Sequence, residues 1–230
     1  MTMIVEKLAI VHARILGACR ASGRDSRTVG LLAVSKTFPA ESVQAAFYAG
    51  QNAFGENYIQ EGVEKIAQLS HLPLEWHCIG PIQSNKTRLV AEHFQWVQSV
   101  DRLKIAQRLS EQRPAHLPPL QVCLQVNIDG GANKSGVTPA EALALAQQVR
   151  ALPRLALRGL MCIPEPTPVF IAQCALFSRA RALFDALNGQ GMQLDVLSLG
   201  MSADLEAAIQ SGSTLVRVGS AIFGGRQSAP

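Results

Sequence analysis

Short apolar runs alternate with amphipathic segments along the whole chain. Eight of these runs are predicted to be strands, and the segments between them repeat apolar residues at helical spacing. The predicted strands are residues 30–35, 53–54, 75–79, 96–99, 120–127, 157–162, 196–199 and 214–218. A first helix is predicted over residues 2–20, with Ile4, Leu8, Val11 and Ile15 on one face. The chain therefore begins with a helix and continues as strand–helix units.

This alternation predicts parallel strands joined by right-handed crossovers. Eight such units in 230 residues indicate an α/β fold, a single (β/α)8 TIM barrel. We expect one domain over residues 1–230, with residues 1–28 as an N-terminal helical segment packed on the barrel and residues 226–230 as a tail. A doubly wound open sheet is the alternative. It would normally carry G-x-G-x-x-G after the first strand, where this chain has "SKTFPAE".

Composition narrows the classes of function. A hydrophobic fraction of 48% and a charged fraction of 17% are typical of a globular protein, and the net charge of +4 is mild. The basic residues are scattered, which disfavours nucleic-acid binding. Because no signal peptide or membrane-spanning run is evident, we expect a cytoplasmic protein with no membrane partner. The five cysteines show no C-x-x-C spacing, which fits a reducing compartment.

A barrel places its chemistry at the carboxyl ends of the strands. Those ends are rich in glycine and polar residues, and Lys36 is the only lysine among them. Partial desolvation there would lower the pKa of its amine, and a neutral amine can form a Schiff base with an aldehyde. A snorkelling side chain or an exposed ion pair is the equally weighted alternative.

Two Gly/Ser loops follow the seventh and eighth strands, where barrels of this kind often bind phosphate. Gly200 and Ser202 lie in the first loop, and Gly219 and Ser220 lie in the second. Glycines let backbone N–H groups approach an anion, and serine hydroxyls add donors. The alternative is ordinary turn and N-cap chemistry.

Arg217 interrupts the apolar run of the eighth strand, on the opposite face from Val216 and Val218. If that face is the barrel interior, the guanidinium could donate to a ring nitrogen or a carboxylate. A structural ion pair, for example with Glu56, is equally open.

A Schiff-base lysine, a phosphate cradle and an inward arginine together suggest pyridoxal 5′-phosphate. The five histidines show no metal-ligand spacing, so no metal is expected.

Longer motifs then become recognisable. The segments "AVSKTFP", "AFGENYIQE", "EWHCIGPIQSNK", "QVNIDGGANKSG", "RGLMCIP" and "LSLGMSADLEAAIQSGSTLVRVGSAIFG" resemble the YggS/PROSC family of pyridoxal-phosphate-binding homeostasis proteins. The resemblance runs from about residue 31 to residue 225. That family is similar to the N-terminal barrel of alanine racemase, so the resemblance supports the barrel prediction.

The resemblance also implies roles for particular residues. Lys36 would form the Schiff base with the cofactor, and Asn57 would lie near its ring. Ser202, Gly219 and Ser220 would hold the phosphate, and Gly200 and Met201 would shape the loop. Arg217 would face the pyridine nitrogen and leave it unprotonated, because two positive charges repel. The set of cofactor-binding residues implied is Lys36, Asn57, Met201, Ser202, Arg217, Gly219 and Ser220.

Two further positions bear on the family comparison. Some members carry a second lysine where this chain has Phe38, which puts a secondary cofactor-handling role there in doubt. Lys134 matches the family's loop lysine and could act in cofactor transfer, or it could be an ordinary surface lysine.

The leading hypothesis is a non-enzymatic cofactor carrier. It would bind pyridoxal phosphate reversibly, buffer its free level and deliver it to apo-enzymes. After Gly225 only "RQSAP" remains, so the second domain of the racemases is not expected, and we expect a monomer. The alternative is a small amino-acid racemase, for which only His77 or Tyr58 could supply a second base. A phosphate-sugar enzyme in a plain barrel is a third possibility.

Overall fold

The computed structural model describes residues 2–131 and 134–225, and within these ranges eight parallel strands close into a barrel in chain order. The strands are β1 (Gly30–Val34), β2 (Ala53–Glu56), β3 (Glu75–Cys78), β4 (Trp96–Val100), β5 (Leu120–Gln125), β6 (Leu155–Met161), β7 (Val196–Ser198) and β8 (Leu215–Val218). β8 pairs with β1, with Leu32 opposite Arg217, which closes the ring. The TIM-barrel prediction is confirmed, and the open-sheet alternative is wrong.

Helices follow the strands and surround the barrel. They are α1 (Thr2–Ala21), α2 (Ala40–Tyr48), α3 (Ile59–Gln68), α4 (Thr87–His93), α5 (Leu103–Gln112), α6 (Ala142–Arg150), α7 (Phe170–Gly189), α8 (Leu205–Gln210) and α9 (Ser220–Phe223). Two 3₁₀ turns, Ser26–Thr28 and Ser84–Lys86, complete the regular structure. None of the helices in the described ranges combines the length and apolar character needed to cross a membrane.

Each predicted strand has a counterpart, and the differences lie at the ends. β2 continues to Glu56, beyond the predicted end at residue 54. Gly55 within this extension lies close to Leu32 and Ile79, whose side-chain ends would be 3.0–3.1 Å from an added Cβ. β6 begins at residue 155, two residues before the predicted start. β5 ends at Gln125, and the next residue bridges separately to Val137.

The N-terminal helix α1 packs against α2, α8 and α9. Leu8, Val11 and Ile15, from the face expected from the sequence, are buried, and Ile4 is half-buried beside them. Ala18 and Cys19 near the end of the helix are buried as well. The division into one domain over residues 1–230 stays a prediction, and the tail at residues 226–230 lies outside the described residues.

The core has two parts. The larger part fills the space between the strands and the helices, and includes Phe54, Phe94 and Phe177. A smaller cluster of Trp96, Cys123 and Met161 comes from β4, β5 and β6 and lies inside the barrel. The interior also contains buried polar side chains, which determine how the site is built.

Gly159 shows how tightly β6 and β7 pair. A Cβ at this position would lie 1.6 Å from the carbonyl oxygen of Val196, its partner on β7. Arg158 is the extra residue of an irregularity in the β5–β6 pairing at the same place. Glycine is therefore required by the close approach of two backbones.

We predict that Gly159→Ala lowers the free energy of unfolding by about 3 kcal/mol or more, because the backbone of β7 must move. Chemical denaturation measures the change. The control is Gly17→Ala in α1, where a Cβ meets nothing within 4 Å. That control should stabilise the chain by about 1 kcal/mol, the helix-propensity difference between the two residues. An unchanged free energy of unfolding in the Gly159 variant would contradict the β6–β7 packing described here.

Candidate functional site

A cavity of about 370 Å³ opens at the carboxyl ends of the strands. This volume lies in the usual range for small-molecule sites. All seven residues predicted to contact a cofactor line it: Lys36, Asn57, Met201, Ser202, Arg217, Gly219 and Ser220. They come from the ends of β1, β2, β7 and β8, so the cavity lies over one side of the barrel mouth.

Lys36 lies in the loop between β1 and α2, two residues beyond the last strand residue. The strand pairing continues through Ser35, whose N–H donates to the carbonyl oxygen of Gly55 at 3.1 Å. Asn57 follows β2 in the same way. A Cβ at Gly80 would lie 2.1 Å from the carbonyl oxygen of Asn57, so the loop after β3 packs flat against Asn57. Both residues are thus held by backbone contacts at strand ends.

The loops after β7 and β8 meet at two serines. Ser220 Oγ donates to Ser202 Oγ at 3.2 Å. Gly219, between β8 and α9, lies so close to β1 that an added Cβ would be 3.1 Å from the carbonyl oxygen of Val34. This cradle offers hydroxyl and backbone N–H donors to an anion at the edge of the cavity.

The loop after β7 is itself held at three points. Gly200 has φ of 86°, and a Cβ there would meet the Cβ of Ala208 at 2.4 Å. Asp204 Oδ1 accepts from the N–H of Met201 at 2.5 Å, and burial raises the pKa of this carboxyl. From α1, Arg14 Nη2 donates to the carbonyl oxygen of Ser202 at 3.0 Å. The position of Ser202 therefore depends on the N-terminal helix.

Arg217 is buried, and its guanidinium spans three strands. Nη1 donates to the carbonyl oxygen and to Oγ of Ser198, both at 2.7 Å. Nη2 donates to the carbonyl oxygen of Cys162 at 2.9 Å. Burial lowers the pKa of Arg217 to about 10, so the side chain stays charged near neutral pH. The alternative of an ion pair with Glu56 is not found among the described residues, because Glu56 pairs with Lys65 at 2.8 Å.

A chain of hydrogen bonds continues from Arg217 across the barrel. Ser198 Oγ donates to Gln98 Oε1 at 2.6 Å, and Gln98 Nε2 bonds to His77 Nδ1 at 2.9 Å. His77 Nε2 then bonds to Glu75 Oε1 at 2.9 Å. We call these five residues the interior polar chain. Since β4 and β7 are not neighbours, the Ser198–Gln98 bond must cross the interior.

The order of donors fixes the protonation of His77. Gln98 Nε2 can only donate, so His77 Nδ1 accepts and Nε2 carries the hydrogen given to Glu75. Burial lowers the pKa of His77, with Glu75 opposing that shift. The hydrogen bond from His77 lowers the pKa of Glu75. His77 is therefore a neutral structural link within the interior polar chain.

A second cavity of about 320 Å³ adjoins the first and shares Asn57, Ile79 and Ile163 with it. Lys134 lines this second cavity. Its Nζ lies 2.8 Å from Asp129 Oδ2 and 3.1 Å from Glu165 Oε2. The loop lysine is thus held by two carboxylates beside the candidate site.

Phe38, where some members of the family have lysine, forms part of the first cavity's wall. Its ring lies against Phe223 of α9, with centroids 5.3 Å apart. The contact joins the loop after β1 to the helix after β8. An apolar side chain at this position therefore closes the wall behind Lys36 and adds no amine to the cavity.

Several functional neighbours were not predicted from the sequence. Asp204 follows Met201 at a spacing typical of local capping, which could have indicated its bond to the Met201 N–H. Arg14 and Gln98 gave no such signal, because their partners are distant along the chain. The two residues considered as a second base, His77 and Tyr58, are not among the described residues that line the cavity.

The donor set fits pyridoxal phosphate. A cavity of suitable size gathers an amine, two hydroxyls beside a backbone cradle, and a guanidinium from β8. These groups match an aldehyde, a phosphate and a pyridine nitrogen respectively. At the opposite end of the barrel, a cavity of about 390 Å³ is lined by Arg158 and Glu75, which pair with Asp195 and His77. That end offers no comparable set of donors in the described part of the chain.

Comparisons with known proteins identify the family of the chain. Residues 20–227 match the family model described as alanine racemase, N-terminal domain. The chain is 63% identical over 226 residues to the pyridoxal phosphate homeostasis protein of Pseudomonas aeruginosa, covering 98% of this chain and 97% of that protein. It is 52% identical over 229 residues to the protein of the same name from Escherichia coli, covering 98% of each.

Solved structures show the same barrel. PipY of Synechococcus elongatus with PLP bound is 37% identical, with a TM-score of 0.83 over 96% of this chain and all of that one. Alanine racemase of Clostridium difficile is 16% identical, with a TM-score of 0.69 over 94% of this chain and 57% of that one. The second likeness shows the fold alone.

The interior polar chain predicts a pH dependence of stability. Because the pKa of His77 is lowered in the folded chain, the unfolded chain binds more protons below about pH 6.5. Stability is therefore present above that pH and is lost as pH falls. We expect the free energy of unfolding to drop between about pH 7 and pH 5.5, and to drop less in His77→Gln.

Denaturation at several pH values, compared between the two chains, measures this difference. The control is His71→Gln, which changes an exposed histidine between α3 and β3 and should keep the wild-type dependence. An equal drop in wild type and His77→Gln would show that His77 is not held neutral.

Proposed function

Because the chain belongs to the family of pyridoxal phosphate homeostasis proteins, we propose that it binds pyridoxal 5′-phosphate reversibly in the cytoplasm, buffers its free level and passes it to apo-enzymes. One observation carries the proposal. A single cavity gathers Lys36, the Ser202–Ser220 pair and Arg217 at the mouth of the barrel.

Each group has a separate task in holding the cofactor. Pyridoxal phosphate supplies an aldehyde and an electron-withdrawing ring. A neutral amine condenses with the aldehyde, and water is released. Lys36 Nζ is the amine. The hydroxyls of Ser202 and Ser220, with the N–H groups beside Gly219, would receive the phosphate. Asn57 would lie near the ring, and Met201 would shape the loop that holds the phosphate.

Arg217 would face the ring nitrogen. Its hydrogen bonds to Ser198 and Cys162 use both Nη1 hydrogens and one on Nη2, which leaves donors on Nε and Nη2 within the described part of the chain. A guanidinium that remains charged keeps the facing nitrogen unprotonated, because two positive charges repel. The ring then withdraws electrons less strongly, which favours holding the cofactor over carbanion chemistry.

The composition of the cavity supports a carrier over a racemase. Racemisation needs a base on each face of the substrate carbon. Lys36 and Arg217 are the titratable side chains among the described residues that line the cavity, and Arg217 is hydrogen-bonded to β6 and β7. We therefore propose that the protein is not an enzyme, and that it acts as a monomer without nucleic-acid or membrane partners.

The assignment of Lys36 predicts one site of covalent capture. Incubation with pyridoxal phosphate followed by borohydride reduction should label Lys36, located by peptide mass mapping. Lys36→Ala should abolish the label. Lys134→Ala, which removes the lysine of the adjoining cavity, should keep it. A label on Lys134 with Lys36 unmodified would overturn the assignment.

Two assays on the purified protein, cofactor transfer and amino-acid racemisation, distinguish a carrier from a racemase. We expect transfer of bound cofactor to an added apo-enzyme and no sustained racemisation of common amino acids. Robust turnover that disappears in Lys36→Ala would establish the racemase instead.

The phosphate cradle predicts a ligand-specific loss of affinity. Replacing both Ser202 and Ser220 by alanine removes two hydroxyl donors, each worth about 1.5–3 kcal/mol to a charged acceptor. Affinity for pyridoxal phosphate should therefore fall by at least about a hundredfold. Affinity for pyridoxal, which lacks the phosphate, should change little. Titration of both ligands followed by absorbance measures the two affinities.

The matched control is Ser211→Ala at the end of α8, whose hydroxyl bonds to the carbonyl oxygen of Cys174. Its affinities for both ligands should equal those of the wild type. Equal losses for pyridoxal and pyridoxal phosphate in the double variant would place the phosphate elsewhere.

A further inference from the structure

A buried group of charges lies between β2 and α3, next to the loop that carries Lys36. Lys65 Nζ is 2.8 Å from Glu56 Oε1 and 2.5 Å from Glu61 Oε1. The side chains of Lys65 and Glu56 are 6% and 0% exposed. We call Glu56, Glu61 and Lys65 the α3 charge cluster. It is separate from the cavity that Lys36 lines.

The α3 charge cluster bonds to the backbone on both sides of Lys36. Before Lys36, Lys65 Nζ donates to the carbonyl oxygen of Ser35 at 2.8 Å, and Ser35 Oγ donates to Glu56 Oε1 at 2.6 Å. After Lys36, the N–H of Thr37 donates to Glu61 Oε1 at 2.6 Å. The two residues that flank the lysine are therefore fixed by the same three side chains.

Thr37 has a backbone conformation that needs such support. Its φ is 67°, in the left-handed region, where a β-branched residue is rarely found. Such conformations persist when surrounding contacts impose them, and they concentrate at ligand-binding sites. Thr37 is exposed, so burial of its side chain does not hold it there. Two hydrogen bonds hold this peptide: the N–H of Phe38 donates to the carbonyl oxygen of Ser35 at 3.0 Å and closes a turn, and the N–H of Thr37 donates to Glu61. The bond to Glu61 is the one that ties the turn to α3.

Stability alone is a weak explanation for the cluster. Buried ion pairs often stabilise a fold no better than apolar side chains of similar size, because the charges lose their hydration. Within the described ranges, Glu56 Oε2 is buried without a hydrogen-bond partner. The contacts that the cluster does make converge on the residues before and after Lys36.

We propose that the α3 charge cluster, through Glu61, holds Thr37 in the left-handed conformation and thereby directs Lys36 into the cavity. Glu61 is then a positioning residue, which acts on the amine through the backbone. The inference rests on the proposed function, because it concerns the lysine that captures the cofactor.

The test compares Glu61→Ala with the double variant Glu61→Ala, Thr37→Gly. Without the acceptor, Thr37 should leave the left-handed region, and capture of pyridoxal phosphate at Lys36 should slow by about tenfold, as expected for one lost hydrogen bond. Glycine adopts positive φ without the bond, so the double variant should recover most of the rate. Timed borohydride quenching and mass mapping at Lys36 measure the rate.

A second readout needs no cofactor. In the apo protein, amide hydrogen exchange at Thr37, followed by NMR, should quicken in Glu61→Ala and stay slow in Glu61→Gln, which keeps an oxygen acceptor. Capture by Glu61→Gln should stay near the wild-type rate. The control is Glu64→Ala, an exposed residue on the same helix, which should match the wild type in both readouts.

If Glu61→Ala fails to fold, Thr37→Pro tests the same inference independently. It changes an exposed residue, leaves the α3 charge cluster in place and excludes positive φ at this position. We expect the same slowing of about tenfold.

Two results would overturn the inference alone: wild-type capture rates in both Glu61→Ala and Thr37→Pro, or a loss that glycine at Thr37 does not restore. A wild-type chain that forms no adduct at Lys36 would overturn the proposed function as well.

Discussion

A buried guanidinium must find hydrogen-bond acceptors within the protein, and much of this barrel's interior is arranged around that requirement at Arg217. The carbonyl oxygens of Ser198 on β7 and of Cys162 just after β6 meet this requirement. The Ser198 hydroxyl accepts from Arg217 and so must pass its own hydrogen on, to Gln98 on the far side of the barrel. The hydrogen-bond needs of one charged group thus determine which polar residues line the interior behind it.

The interior polar chain ends at a side chain that water can reach and hydrogen-bond. Gln98 leaves its amide hydrogens for His77, and His77 leaves one for Glu75, whose side chain is half-exposed at the other end of the barrel. A chain of this kind is costly if one member is missing, because each loss leaves a buried polar atom unpaired. The orientation of Arg217 at the mouth is therefore coupled to the packing of β3 and β4.

The sequence was a good guide to the strands, the barrel and the cavity. Apolar runs located all eight strands, and the rule that chemistry lies at strand ends selected Lys36 and the two Gly/Ser loops, whereas Asn57 came from the family resemblance. What it could not predict depends on contacts between distant residues. The bond between Ser198 and Gln98 joins residues 100 positions apart, and Arg14 reaches Ser202 across 188 positions. Periodicity describes which face a side chain occupies, and it carries no information about its partner.

The left-handed conformation of Thr37 was unpredictable for a related reason. Threonine is a poor residue for positive φ, so local propensity favours another conformation at this position. The acceptor on α3 opposes that preference, together with the turn bond from the Phe38 N–H to the Ser35 carbonyl oxygen. The mouth of the barrel thus combines two kinds of support. Arg217 is held by hydrogen bonds inside the barrel, and the α3 charge cluster holds the backbone on both sides of Lys36 from outside it. Since Lys36 and Arg217 line one cavity, a single ligand there would depend on both kinds of support at once.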